Sequence, residues 1–308
     1  MSRFVQFEEF GSRENLHVID VQPPWPGPGE VRVRVMAVGL NAVDYKAFNG
    51  GPAAAALGVS VPSGIGFDFS GFVDEVGAGV TRFAPGDAVF GSKPFEAAAD
   101  FVIVSHDGQL VHKPSALTFE AAGALAVVGR TAMASVASLQ LDESDTVLIS
   151  AAAGGVGVLA CQLAIRAGAT VIGTAGEDNH DYLTGLGVIP VEYGDGLADR
   201  IREALPDGYT LTAVLDNHGQ ETIDAAFELE VPVERINTIV AFGPAARGAS
   251  RVGGRHATND DLAAIAELIA AGELVLPIDS IFPIERVVEA YRRLETGHVR
   301  GKVILVTD

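Results

Sequence analysis

Cysteine is nearly absent: Cys161 is the only one in 308 residues. An intramolecular disulfide is therefore impossible, and so is a zinc site built on several cysteines. Basic charge is also scarce, with 21 Lys and Arg against 40 Asp and Glu and a formal net charge of −19. Nucleic acids and anionic membrane surfaces are held by basic patches, so neither is expected as a partner. The acidity itself reads as solubility. Long apolar runs are missing as well. The longest apolar or small-residue stretch ends at Gln162 and belongs to a glycine turn and its helix, so no membrane span is expected. The opening residues, MSRFVQFEEF, lack the apolar core of a secretory signal, which makes the cytoplasm the expected location.

What is present is an ordinary α/β composition, 48% hydrophobic and 7% aromatic, in a chain long enough for two domains. The first part is β-rich. Val31–Val35 alternates cleanly after a turn punctuated by Pro23, Pro24, Pro26 and Pro28, and short strands follow through Gly66–Gly91. A helix is expected over Phe119–Leu139. From about Gly123 to Ala271 strands and helices alternate: Thr146–Ile149, Thr170–Gly173, Ala213–Asp216 and Thr238–Phe242 read as strands. Such alternation means a parallel sheet covered on both faces. A terminal strand, Lys302–Val306, has no helix after it and is expected to return to the N-terminal β-rich part.

The most informative stretch is Thr146–Gly157, TVLISAAAGGVG. A β-branched run leads into a glycine turn, and an apolar helical pattern follows from Val158. This is the context in which a glycine motif signifies dinucleotide binding: a pyrophosphate needs helix N-terminal N–H groups and no side chains in its way. Ala153, Gly154, Gly155, Val156 and Gly157 are the expected contacts, and Ala152 stands where the first motif glycine would be. At the end of the next strand, Thr174 and Ala175 occupy the place where NAD-binding proteins carry an acid for the ribose hydroxyl. The missing acid favours NADPH over NADH, although Glu177 and Asp178 follow and no Arg or Lys lies between Ala169 and Asp195.

Several segments together resemble the zinc-independent quinone oxidoreductases of the medium-chain dehydrogenase/reductase superfamily. They are Gly39–Tyr45, Gly66–Gly71, Gly86–Gly91, Gly129–Ala132, Ala151–Gly157 and His298–Lys302, in family order. The resemblance implies an α/β architecture in which a GroES-like β-rich catalytic domain (1–122 and 272–308) accompanies a Rossmann cofactor-binding domain (123–271). It places Asn41, Asp44 and Thr131 beside the nicotinamide, Asn217, Phe242 and Gly243 along the cofactor, and Lys302 at its closing edge. It also makes His180 and Tyr193 the candidates for the 2′-phosphate. The zinc-dependent branch would need a histidine at Phe67, in a Gly-His-Glu motif that reads Gly66-Phe67-Asp68 here, and a cysteine near Asn41. The seven histidines show no ligand spacing, so no metal is expected.

The expected activity is NADPH-dependent hydride transfer to a small-molecule quinone or α,β-unsaturated carbonyl. Tyr45 and Lys46 are the nearest candidate donors to the product oxygen, beside Asn41 and Asp44. Two other readings are a non-catalytic NADPH-binding protein and an enoyl reductase for carrier-bound acyl chains. A homodimer is expected through a sheet edge at Thr238–Phe242, where unpaired backbone groups would seek a partner.

Overall fold

The alternating valines extend into a ten-residue strand, Glu30–Gly39, with Val31, Val33 and Val35 all buried. In this computed structural model, which describes residues 1–307, that strand is the centre of a seven-stranded sheet. Asp68–Val76 pairs with it on one side, and the terminal strand Lys302–Val306 pairs with it antiparallel on the other. The chain end thus closes on the N-terminal β-rich part. Ile278–Pro283 lies parallel to the terminal strand.

Two compact units result. The first comprises Met1–Val127, Leu262–Glu273 and the chain from Pro277; the second comprises Val128–Asp261 and Leu274–Leu276. The boundary at Val127, later than residue 122, has a clear cause. An added Cβ on Gly39 would lie 2.4 Å from the Gly123 carbonyl oxygen, so this segment is seated directly on the central strand.

The second unit holds a five-stranded parallel sheet in the order Ile189–Val191, Thr170–Thr174, Thr146–Ile149, Ala213–Asp216 and Ile236–Thr238. Its strands carry Leu148, Ile172, Val214 and Ile236, each fully buried, as a sheet covered on both faces requires.

Two expectations need correction. The helix expected over Phe119–Leu139 is two helices, Phe119–Gly123 and Ala126–Leu139. The Asp68 carboxylate accepts the Val127 N–H at 2.8 Å and so starts the second helix afresh. The strand expected over Thr238–Phe242 ends at Thr238. There the Thr238 hydroxyl accepts the N–H groups of Val240 and Ala241 and curls the chain away from the sheet. The edge is also covered by the chain's own Ser250–Val252 segment. Thr238 N–H donates to Ser250 O, Ser250 N–H donates to Ile236 O, and Val252 N–H donates to the Asn237 side chain. The edge therefore does not present the open row of backbone groups on which the dimer was argued.

Candidate active site

In the first unit, Leu40 leaves the central strand and Asn41 opens the Ala42–Phe48 helix. Asp44 stands three residues on, where its carboxylate accepts the Asn41 N–H at 2.8 Å. The Asn41 amide makes no cap bond to that helix. It is turned inward, donating to Gly39 O and Asp68 Oδ2, both at 3.0 Å. Lys302 Nζ donates to Asn41 Oδ1 at 2.6 Å and sits 3.3 Å from Asp68 Oδ2. Lys302 reaches this place because Gly301 takes φ +75°, and an added Cβ there would lie 2.0 Å from Pro277 O.

Asn41, Asp44, Asp68 and Lys302 are all buried, at 6, 0, 0 and 3% exposure. Burial pushes the Lys302 ammonium below its usual range, opposed by the Asp68 and Asp44 charges. It pushes the Asp68 carboxyl up, opposed by the Lys302 charge. Asp44 is raised to about 7, mainly by burial, against the Asn41 N–H and the Lys302 charge. The Tyr291 phenol faces the same carboxylate and favours its charged form, but neither Asp44 Oδ1 nor the Tyr291 hydroxyl makes a well-formed hydrogen bond.

Tyr45 and Lys46 do not join this cluster. Tyr45 packs half-buried against the hydrophobic core of the first unit, and burial raises its phenol above the ordinary range. Lys46 is exposed on the far side of the helix turn. Asp68, by contrast, is a centre of the cluster that the sequence reading left as a departure from a zinc motif. Its signal was available: an acid following Gly66-Phe67 in a strand otherwise buried throughout its first half.

In the second unit, the Gly155–Arg166 helix begins at Gly154, and no side chain caps its first turn. Its leading N–H groups have no side-chain cap, an arrangement in which a helix start can hold an anion. Gly157 has a structural duty: an added Cβ would lie 2.1 Å from Ala151 O. At Gly154 the nearest atom would be the same oxygen at 3.3 Å, so that position faces open space on its other sides. These residues fit a dinucleotide pyrophosphate. Ala153 is 5% exposed in the same turn. Thr174 braces the turn from behind, since it is buried and its hydroxyl accepts the Ala151 N–H at 3.1 Å.

Beyond Ala175, His180 Nε2 stands 3.2 Å from Ala175 O, and Tyr193 is 40% exposed with its hydroxyl near Gly176. The Tyr193 and His218 rings lie 6.1 Å apart. Asn217 is fixed by Ser150, which accepts its backbone N–H on the hydroxyl at 2.8 Å and its side-chain amide on the carbonyl at 2.9 Å. Behind it lies buried Asp216, a hub missed in the sequence. Its carboxylate accepts from the hydroxyls of Ser150 and Thr238 and the N–H groups of His218 and Gly219. Phe242, 58% exposed, stacks beneath the Arg251 guanidinium at 3.8 Å, and Gly243 follows with φ +56°. Thr131 is buried close to the Gly254 turn, where an added Cβ would meet its hydroxyl at 3.0 Å.

A GroES-like unit and a parallel-sheet unit with a glycine-turn helix define a medium-chain dehydrogenase/reductase. The alcohol dehydrogenase GroES-like domain family matches residues 27–100, and the family described as zinc-binding dehydrogenase matches residues 188–305. A quinone oxidoreductase of Pseudomonas aeruginosa is 30% identical over 99% of this chain and the whole of its own length. Among solved structures, the quinone oxidoreductase of Coxiella burnetii superimposes with a TM-score of 0.89 at 30% identity, covering 100% of this chain and 99% of that one. A mycobacterial protein solved in complex with NADPH gives 0.85 at 25% identity, with both chains fully covered. The chain belongs to the quinone oxidoreductase family of this superfamily and is an oxidoreductase. Among the described residues, no helix is long and apolar enough to cross a membrane.

Proposed function

We propose that this protein reduces quinones or α,β-unsaturated carbonyls by direct hydride transfer from NADPH, without a metal. The observation that carries this reading is the uncapped Gly155–Arg166 helix start behind a close-packed glycine turn. When bound, the nicotinamide supplies the hydride, and the protein supplies binding and orientation. The glycine turn and Asn217 would hold the dinucleotide, and Asn41 with Asp44 behind it would order the nicotinamide end. NADPH in preference to NADH is supported by Ala175 in the acid's place and by His180 and Tyr193 nearby. The donor set supports a metal-free reaction. Phe67 packs edge-on against Phe95, and no group of three His, Cys, Asp or Glu stands in a metal-holding arrangement among the described residues.

Addition of hydride to a quinone or enone leaves a negative oxygen that takes a proton. With Tyr45 half-buried against the core and Lys46 exposed, both apart from the Asn41 cluster, this reading takes the proton from solvent. A tenfold fall in kcat for Tyr45→Phe or Lys46→Ala, about 1.4 kcal/mol, would reinstate a side chain. A homodimer belongs to this reading by family resemblance alone, and a monomer in sedimentation equilibrium would remove it.

The test is coenzyme oxidation against a benzoquinone, an alkenal and a primary aldehyde, with NADPH and NADH, each with and without chelator. Chelator-insensitive turnover of quinone or alkenal with higher kcat/KM for NADPH is the expected result. Tight NADPH binding with no turnover would favour a non-catalytic binding protein.

A further inference from the structure

Arg130 is the one charged residue on the Ala126–Leu139 helix, and it lies in the second unit at 7% exposure. A guanidinium carries five N–H donors and no acceptor. Nη2 donates to Ala257 O, but Nε and Nη1 make no hydrogen bond among the described residues, which leaves three of the five donors unspent. The surroundings supply little to meet them. One turn on along the helix stand Met133 and Ala134. Beside the Arg130 Cβ runs the Gly254–His256 turn, where an added Cβ on Gly254 would lie 3.6 Å away. Asp261 is the one carboxylate whose charge bears on the guanidinium, and its Oδ2 is spent on the Thr258 N–H and hydroxyl at 2.7 and 2.8 Å. The loop adds no acid of its own: from Arg235 to Asn259 the chain holds no Asp or Glu, against 40 in the whole sequence. Buried charges in proteins are paired, because taking an ion out of water costs more than a single hydrogen bond returns. A water would accept from Nε or Nη1 and still leave the charge unmatched.

We infer that Arg130, with the Gly254–His256 turn beside it, forms a binding site for one small monovalent anion of the halide class. The anion matches the guanidinium charge and accepts from Nε or Nη1. It thereby pins the turn to the helix, alongside the bond from Nη2 to Ala257 O. Both nitrogens are closed to solvent, which selects a weakly hydrated single charge over a phosphate, whose double charge is costlier to strip of water. Neither coenzyme nor substrate enters the chemistry of this site.

The experiment follows thermal unfolding of the full chain in sodium chloride, sodium bromide and sodium gluconate at matched ionic strength. It compares the wild type with Arg130→Met and Arg255→Ala, and a crystal of the wild type grown in bromide is read by anomalous scattering. The wild type is expected to melt about 2–4 °C higher at saturating chloride or bromide than in gluconate, because an ion that binds only the folded state stabilises it. Arg130→Met, close in length but uncharged, should melt at the same temperature in all three salts. Arg255→Ala changes an exposed side chain of the same turn and should keep the full rise. One bromide peak is expected within hydrogen-bond distance of Nε or Nη1. If Arg130→Met does not fold, Arg130→Lys takes its place and should show a smaller rise than the wild type, and the bromide map tests the site without any variant. A rise that survives in Arg130→Met, or that is lost in Arg255→Ala, would overturn the inference and leave general attraction to a basic loop. So would a water without anomalous signal beside Nε and Nη1, or a wild type that melts alike in halide and gluconate.

Discussion

Asp44 closes the first turn of its helix from a wholly buried position, and burial sets its carboxyl at about 7 against an ordinary 3.8. The folded protein therefore holds a proton there that the unfolded chain releases. Between about pH 4 and pH 7 the folded state binds more protons, so this group's contribution to stability falls as pH rises. The full span is on the order of 4 kcal/mol. Asp44→Asn keeps an oxygen for the Asn41 N–H and removes the titration. Its denaturant-measured stability relative to wild type should rise between about pH 4 and pH 7 and level off above; a parallel pH dependence in the two proteins would show that Asp44 is ionised throughout. Cys161 makes a second residue-scale prediction. It is fully buried in an apolar helix, and burial pushes its thiol far above the ordinary range. A thiol reagent should leave it unmodified in the native protein and label it stoichiometrically once the chain is unfolded. Labelling at native rates would mean that the helix opens locally.

At the scale of elements, two glycines of one turn do different work. Gly157 lets the Gly155–Arg166 helix approach the preceding loop, where an added Cβ would meet Ala151 O at 2.1 Å. Backbone cannot yield as a flexible side chain can, so Gly157→Ala should lower stability by about 1–3 kcal/mol and impair coenzyme binding with it. Gly154 has φ −76° and only a 3.3 Å contact. Gly154→Ala should melt close to wild type yet bind NADPH more weakly, because the added methyl stands where a phosphate would come. Melting curves and titrations separate the two effects; equal destabilisation would mean that both glycines serve packing alone. The end of the Ile236–Thr238 strand belongs to this scale too. β-propensity carried the sequence reading on through Ile239 and Val240, but a threonine hydroxyl accepting two N–H groups offered the backbone a competing arrangement and won.

At the scale of the whole molecule, much was legible in the sequence because it is periodic or local. Strand and helix alternation and the glycine turn depend on spacing and residue type along the chain. The break between the Phe119–Gly123 and Ala126–Leu139 helices was not legible, because its cause, Asp68, lies 59 residues away from Val127. The same holds for the candidate site. Asn41 and Asp44 were readable as a pair three residues apart. Their connection to Lys302, 261 residues distant, and to Asp68 exists only where the terminal strand docks on the central one. The sequence by itself determined the alternation of strands and helices and the glycine turn, since local propensity and side-chain type are properties of the chain. Tertiary structure alone decided that the Asn41 amide turns inward, that Tyr45 packs while Lys46 faces water, and that the sheet edge is covered by its own loop. Those outcomes depend on which buried polar groups find partners across the fold, and no pattern along the chain records that.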